Sequence, residues 1–161
     1  MPIISVQISA KGGGPDGVPV NLPPAIGLLQ QGPLLQVAIS PSVAIVQQLT
    51  ALGRALPTPI SGPALLDTGA FNTCVDIDVA EELKLPVIDQ VTIATPSHTE
   101  SQQPVYPIQL EVTGFGINFD SPRTIGAPLK AQGIIALIGR DVLQNCCLIY
   151  NGHIGQFHLA I

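Results

Sequence analysis

Asp67 follows an apolar run, Ala64-Leu65-Leu66, and precedes Thr68, Gly69 and Ala70. A carboxylate at the mouth of a buried strand costs several kcal/mol unless it is paired or hydrogen-bonded, so its placement calls for a reason. Gly69 admits a tight turn and the close approach of another backbone, and the Thr68 hydroxyl can donate a bond that holds the turn. A carboxylate fixed in this way can serve as a general base or acid. The same three residue types also end ordinary strands without doing chemistry, so Asp67-Thr68-Gly69 alone does not decide between the two.

A second segment, IIALIGRDVL from Ile134 to Leu143, reads as a short apolar strand over 134–138, a break at Gly139 and about one helical turn over 140–145. Other elements must carry both segments. Residues 3–9 alternate as a half-buried strand with Ile4, Val6 and Ile8 inward. Residues 11–33 are too rich in Gly and Pro for a regular element and read as an ordered loop or arm. A strand over 34–40 leads into an amphipathic helix over 42–56, with Ser42 as N-cap and Ile45, Leu49, Leu52 and Leu56 on one stripe. Asp78 and Glu81 resemble a capping box opening a short helix that must stop before Pro86. Residues 87–95 and 105–112 flank the polar stretch PSHTESQQP as a long hairpin with an exposed, mobile tip. The chain closes in a hairpin turning at Asn151-Gly152.

Composition narrows the functional classes. Hydrophobic residues at 46% against charged residues at 11% describe a folded chain with an unusually apolar surface, and 16 Gly with 16 Pro favour short strands over long helices. A net charge of −5 without a basic cluster disfavours nucleic acid as a partner. No stretch is long enough for a membrane span, and the first residues lack a signal-peptide pattern, so the expectation is a cytoplasmic protein away from the membrane. Three cysteines, two of them adjacent at Cys146 and Cys147, point to reduced thiols.

With ALLDTGA and LIGRDVL in this order, the chain resembles the retropepsin family of aspartic proteases over residues 33–161. The resemblance implies a mainly β, closed barrel-like domain with one or two short helices, preceded by an N-terminal strand and Gly/Pro-rich arm over 1–32 and paired as a two-fold homodimer. It implies that Asp67 is the catalytic aspartate, one from each chain, supported by Thr68, Gly69 and Ala70. It further implies that Gly69, Ile138 and the flap residue Ser97 contact a polypeptide substrate, and that no metal or cofactor is required.

This chain departs from the family pattern in three places. Phe71 stands where retroviral enzymes carry an acid, so Arg140 must find another partner or solvent. The flap has no glycine between Gly69 and Gly114. The helix over 42–56 replaces a short hairpin turn and is expected to cap one side of the domain.

Other chemistries fit less well. An aspartyl-phosphate site needs a second acid or a lysine nearby, which Asp67 to Phe71 does not supply. Cys146, Cys147, His153 and His158 lack zinc-ligand spacing, Lys11-Gly12-Gly13-Gly14 lacks the end of a phosphate-binding loop, and His98 is an ordinary loop histidine. The serious rival is the same fold used as a catalytically silent peptide-binding or dimerisation module.

Overall fold

The computed structural model describes residues 2–13, 15–95 and 98–161. Among the described residues twelve strands and four α-helices follow one another. The N-terminal part holds β1 (Ile3–Gln7), β2 (Ala10–Gly13), β3 (Pro19–Leu22) and α1 (Pro24–Gln31). The middle holds β4 (Leu34–Pro41), α2 (Val43–Ala51), β5 (Ile60–Leu66), β6 (Cys74–Asp76), α3 (Ile77–Glu82), β7 (Asp89–Thr95), β8 (His98–Val112) and β9 (Ile117–Ala127). The last part holds β10 (Ala136–Ile138), α4 (Arg140–Leu143), β11 (Cys147–Asn151) and β12 (Gln156–Ala160).

Strands β4, β5, β10, β6, β9 and β8 hydrogen-bond in that order, and β8 returns to β4, which closes a barrel of six strands. The protein is mainly β, with more helices than the one or two expected. Alternation builds the barrel core. On β4, Leu35, Val37 and Ile39 are all but inaccessible, and Val75, Ile108, Leu110 and Ile138 meet them from other strands. Each such side chain contributes roughly 1.5–3 kcal/mol when fully withdrawn from water. β7 lies outside the closed barrel and pairs only with β8, so the two form the expected long hairpin. β8 resumes at His98, earlier than the polar composition suggests, and positions 96 and 97 lie outside the described residues.

A second sheet orders β1, β12 and β11, with Ile4 opposite Leu159 and Val6 opposite Phe157 on its covered face. Ile4, Phe157 and Leu159 belong to the same core cluster as the barrel residues. The inward set read from residues 3–9 is therefore correct.

Four local expectations need correction. The stretch 11–33 is not a loop: β2 pairs with β3, and α1 follows with Pro24 in its first turn. Proline reads as a breaker but is well suited to that position, where its missing N–H has no partner to lose. α2 ends at Ala51 rather than residue 56, because Gly53 takes φ +63 and the Arg54 N–H turns back to the Leu49 carbonyl. The cap of α3 is Asp76, not Asp78. Its buried carboxylate accepts from the N–H groups of Asp78 and Val79 and, through the other oxygen, from those of Leu129 and Lys130. In the last hairpin Asn151 pairs with Gln156, so the loop spans 152–155 rather than turning on two residues.

That loop meets α1 at Gly155, which takes φ +67; an added Cβ would sit 2.0 Å from the Pro24 carbonyl carbon. We expect Gly155→Ala to cost ~3 kcal/mol or more, from left-handed strain and backbone collision together. Urea denaturation checks this, and a midpoint near that of the parent would refute it.

Candidate active site

The catalytic candidate stands where the barrel opens. β5 runs parallel to β10 with Leu66 opposite Ile138, and the next residue, Asp67, donates its N–H to the Ile138 carbonyl at 2.9 Å. The chain then turns: Ala70 N–H donates to the Asp67 carbonyl at 3.2 Å, and Gly69 N–H donates to Asp67 Oδ1 at 2.8 Å. Asp67 is partly buried, while Thr68 and Gly69 are exposed at the tip. A carboxylate that accepts a backbone N–H is held at a fixed orientation.

The far side of the turn is clamped to the segment after β10. Arg140 N–H donates to the Ala70 carbonyl and Asp141 N–H to the Phe71 carbonyl. Thr73, 2% exposed, donates both its N–H and its hydroxyl to the Asp141 carboxylate, and its hydroxyl oxygen accepts from Gly139 N–H at 3.1 Å. Gly139 is required there: a Cβ on it would lie 2.5 Å from the Asn72 carbonyl carbon. Sequence reasoning missed Thr73 and Asp141. The available signal was an acid inside the brace of a chain with only 11 acids.

Arg140 resolves the absence of an acid at position 71. Its guanidinium carbon lies 5.6 Å from the centroid of the Phe71 ring, a cation–π distance, and its Nε donates to the Ala70 carbonyl at 3.3 Å. Phe71 is 75% exposed, so the pair sits on the rim of the site.

Beside the turn lies a cleft of about 630 Å³ lined by Gly69 and Phe71 of the turn, by Val91 and Ile93 of β7, and by Cys74 and Ile125, which pair across β6 and β9. The hairpin strand β7 and the Asp67 turn therefore line one cleft. At its base, Arg123 pairs with Asp89 and holds that exposed carboxyl below its usual range. Burial pushes the Cys74 thiol up to about 11, helped by the carboxylates of Asp141 and Asp67. At such a value it stays protonated at neutral pH.

Of the residues expected at the site, Asp67, Thr68, Gly69 and Ala70 share one turn. Ile138 is 2% exposed and supports that turn from beneath with its carbonyl; its side chain packs in the core. Ser97 lies outside the described residues. Among the described residues no group of acids, histidines and cysteines could hold a metal, and no helix is long and apolar enough to cross a membrane.

Asp141→Ala would leave the buried Thr73 N–H and hydroxyl without their acceptor. We expect a loss of about 2–4 kcal/mol in unfolding free energy and faster amide exchange at Thr73. Unchanged stability and exchange would show that the clamp does not hold the turn.

No family model and no curated protein matches the chain. Among solved structures it is similar to the Simian Foamy Virus (mac) protease in solution, at 21% identity over 70% of this chain and 92% of that one, with TM-score 0.43. It is similar to a retropepsin-like aspartic protease from Rickettsia conorii, at 13% identity over 98% and 91%, with TM-score 0.47. It is also similar to the retroviral protease-like domain of Ddi1 from Leishmania major, at 17% identity over 73% and 81%, with TM-score 0.39. All three of these solved chains are proteases or protease-like domains.

Proposed function

We propose that the chain is one half of a homodimeric aspartic endopeptidase with Asp67 as its catalytic residue. The observation that carries this reading is the Asp67 turn: a carboxylate at the end of a core strand, oriented by Gly69 N–H, braced by α4 and bordering a cleft shared with a hairpin strand. The sequence has one such turn, so a complete site needs two chains about a two-fold axis. Thr68, exposed at the tip, is available to hydrogen-bond across that axis.

Two carboxylates held roughly 3 Å apart cannot both ionise and therefore share a proton, the arrangement for which aspartic proteases are known. The ionised member takes a proton from a bound water while the protonated member polarises the scissile carbonyl. The water oxygen bonds to the carbonyl carbon, giving a tetrahedral gem-diol with no covalent enzyme intermediate. Transfer of a proton to the departing nitrogen then breaks the C–N bond. The peptide would lie extended between the turns and the hairpins, with its side chains entering clefts such as that lined by Cys74, Val91 and Ile93.

Replacing Asp67 with Asn should abolish cleavage of a mixed peptide library while circular dichroism and sedimentation stay as in the parent. Near-parental cleavage would end the reading; a parent that dimerises and binds peptides but never cleaves them would be the silent module instead. Mixed one-to-one with parent chains under exchange, Asp67→Asn chains leave about a quarter of dimers with two aspartates, so activity per parent chain should fall to about half. No inhibition, with activity independent of dilution, would exclude a site shared between chains.

Ala70 offers the dyad no hydroxyl. In Ala70→Ser a hydroxyl donating to the Asp67 carboxylate would favour its ionised form, so the pH optimum of cleavage should move downward. An unchanged or higher optimum would count against this arrangement.

A further inference from the structure

α2 was expected to cap one side of the barrel, yet none of its residues is buried. Ile45, Leu49 and Leu52 instead line a groove of about 410 Å³, whose other wall includes Leu85 beyond the end of α3. The groove continues past Pro57 into an adjoining depression of about 390 Å³ that reaches Ile60 and shares Leu83 and Lys84 with it. Leu52 is 68% exposed and Leu56 51% exposed, so an apolar trough is left to water. Contiguous apolar surface of this kind marks interaction sites.

Charge says what fits. Arg54 and Lys84 line the groove, and among the described residues neither forms a salt bridge, whereas Arg123 and Lys130 do. A chain of net charge −5 thus places two of its six cations on one apolar trough, with Glu82 the one acid lining the second depression. Among the described residues Lys84 is also one of two non-glycine residues with positive φ, at +54. It sits just past the α3 C-cap, its N–H bonded to the Glu81 carbonyl, where glycine fits without steric cost and lysine does not. Local strain retained against such an easy remedy points to a use for the side chain.

We propose that this groove docks an acidic, apolar segment of a partner polypeptide, with apolar side chains in the trough and carboxylates on Arg54 and Lys84. The groove touches the start of β5 at Ile60, and Asp67 follows the far end of that strand, roughly 20 Å away at the ordinary rise per residue. The docking site is therefore separate from the cleft, and the proposal stands whether or not the chain cleaves peptides.

The test is fluorescence anisotropy with a labelled twelve-residue peptide of leucines and glutamates, beside a twin with lysine for glutamate. Asp67→Asn chains are used so that cleavage cannot mimic binding. The acidic peptide should bind at least tenfold tighter than its twin and weaken with salt. Arg54→Glu with Lys84→Glu should remove the preference, and Leu52→Ser should weaken binding with the charge of the groove unchanged. Lys84→Gly should raise the melting temperature by about 2–4 °C, as relief of a small strain does in a chain this size, and bind the acidic peptide severalfold more weakly. Equal binding of the twins, or binding indifferent to Arg54 and Lys84, would overturn the proposal. So would charge reversal that alters self-association in sedimentation, which would assign the groove to a second copy of the chain.

Discussion

The hydrogen bond from Asp67 N–H to the Ile138 carbonyl continues a parallel pairing between β5 and β10, strands far apart in sequence. Parallel neighbours need a crossover. Here the crossover contains β6, α3, the β7–β8 hairpin and β9, so the elements that wall the cleft also complete the barrel. Once β10 lies beside β5, position 139 must be glycine, because the Asn72 carbonyl occupies the space a side chain would need. α4 follows at once and returns its N–H groups to Ala70 and Phe71. The orientation of one carboxylate thus rests on a junction assembled from two distant segments.

Much of this was legible because it is periodic or chemically odd. Alternation at residues 3–9 identified a strand and its inward face, residues 34–40 read as a second strand, and a carboxylate after Ala64-Leu65-Leu66 pointed to the candidate site. The misses have physical causes. Pro23-Pro24 hid α1 because proline stops a helix everywhere except near its start. Asp78 with Glu81 imitates a capping box, but Asp76 can also reach Leu129 and Lys130, and that tertiary opportunity decides which residue caps α3. Likewise, nothing local in Thr73 or Asp141 announces their pairing; only the fold brings them together.

The apolar composition also has a visible outlet. Phe71, Leu29 and Leu52 are each more than two-thirds exposed, so the surplus of hydrophobic residues lies on the surface as the low charge content suggested. Phe71 shows how such a residue can be kept in place, with Arg140 over its ring standing in for an ion pair and retaining the link between turn and brace.

The pairing of β1 with β12 joins Ile3 to Ala160, nearly the whole length of the chain apart, and the clamp joins Thr73 to Asp141. Contacts of such long range raise contact order, and loop closure must precede their reward, so a fold of this kind assembles slowly. During synthesis the Asp67 segment emerges well before its brace, and domains fold as units once their parts are present. The turn therefore stays unheld on the ribosome until Gly139 and Asp141 have followed, and the growing chain carries its carboxylate unbraced.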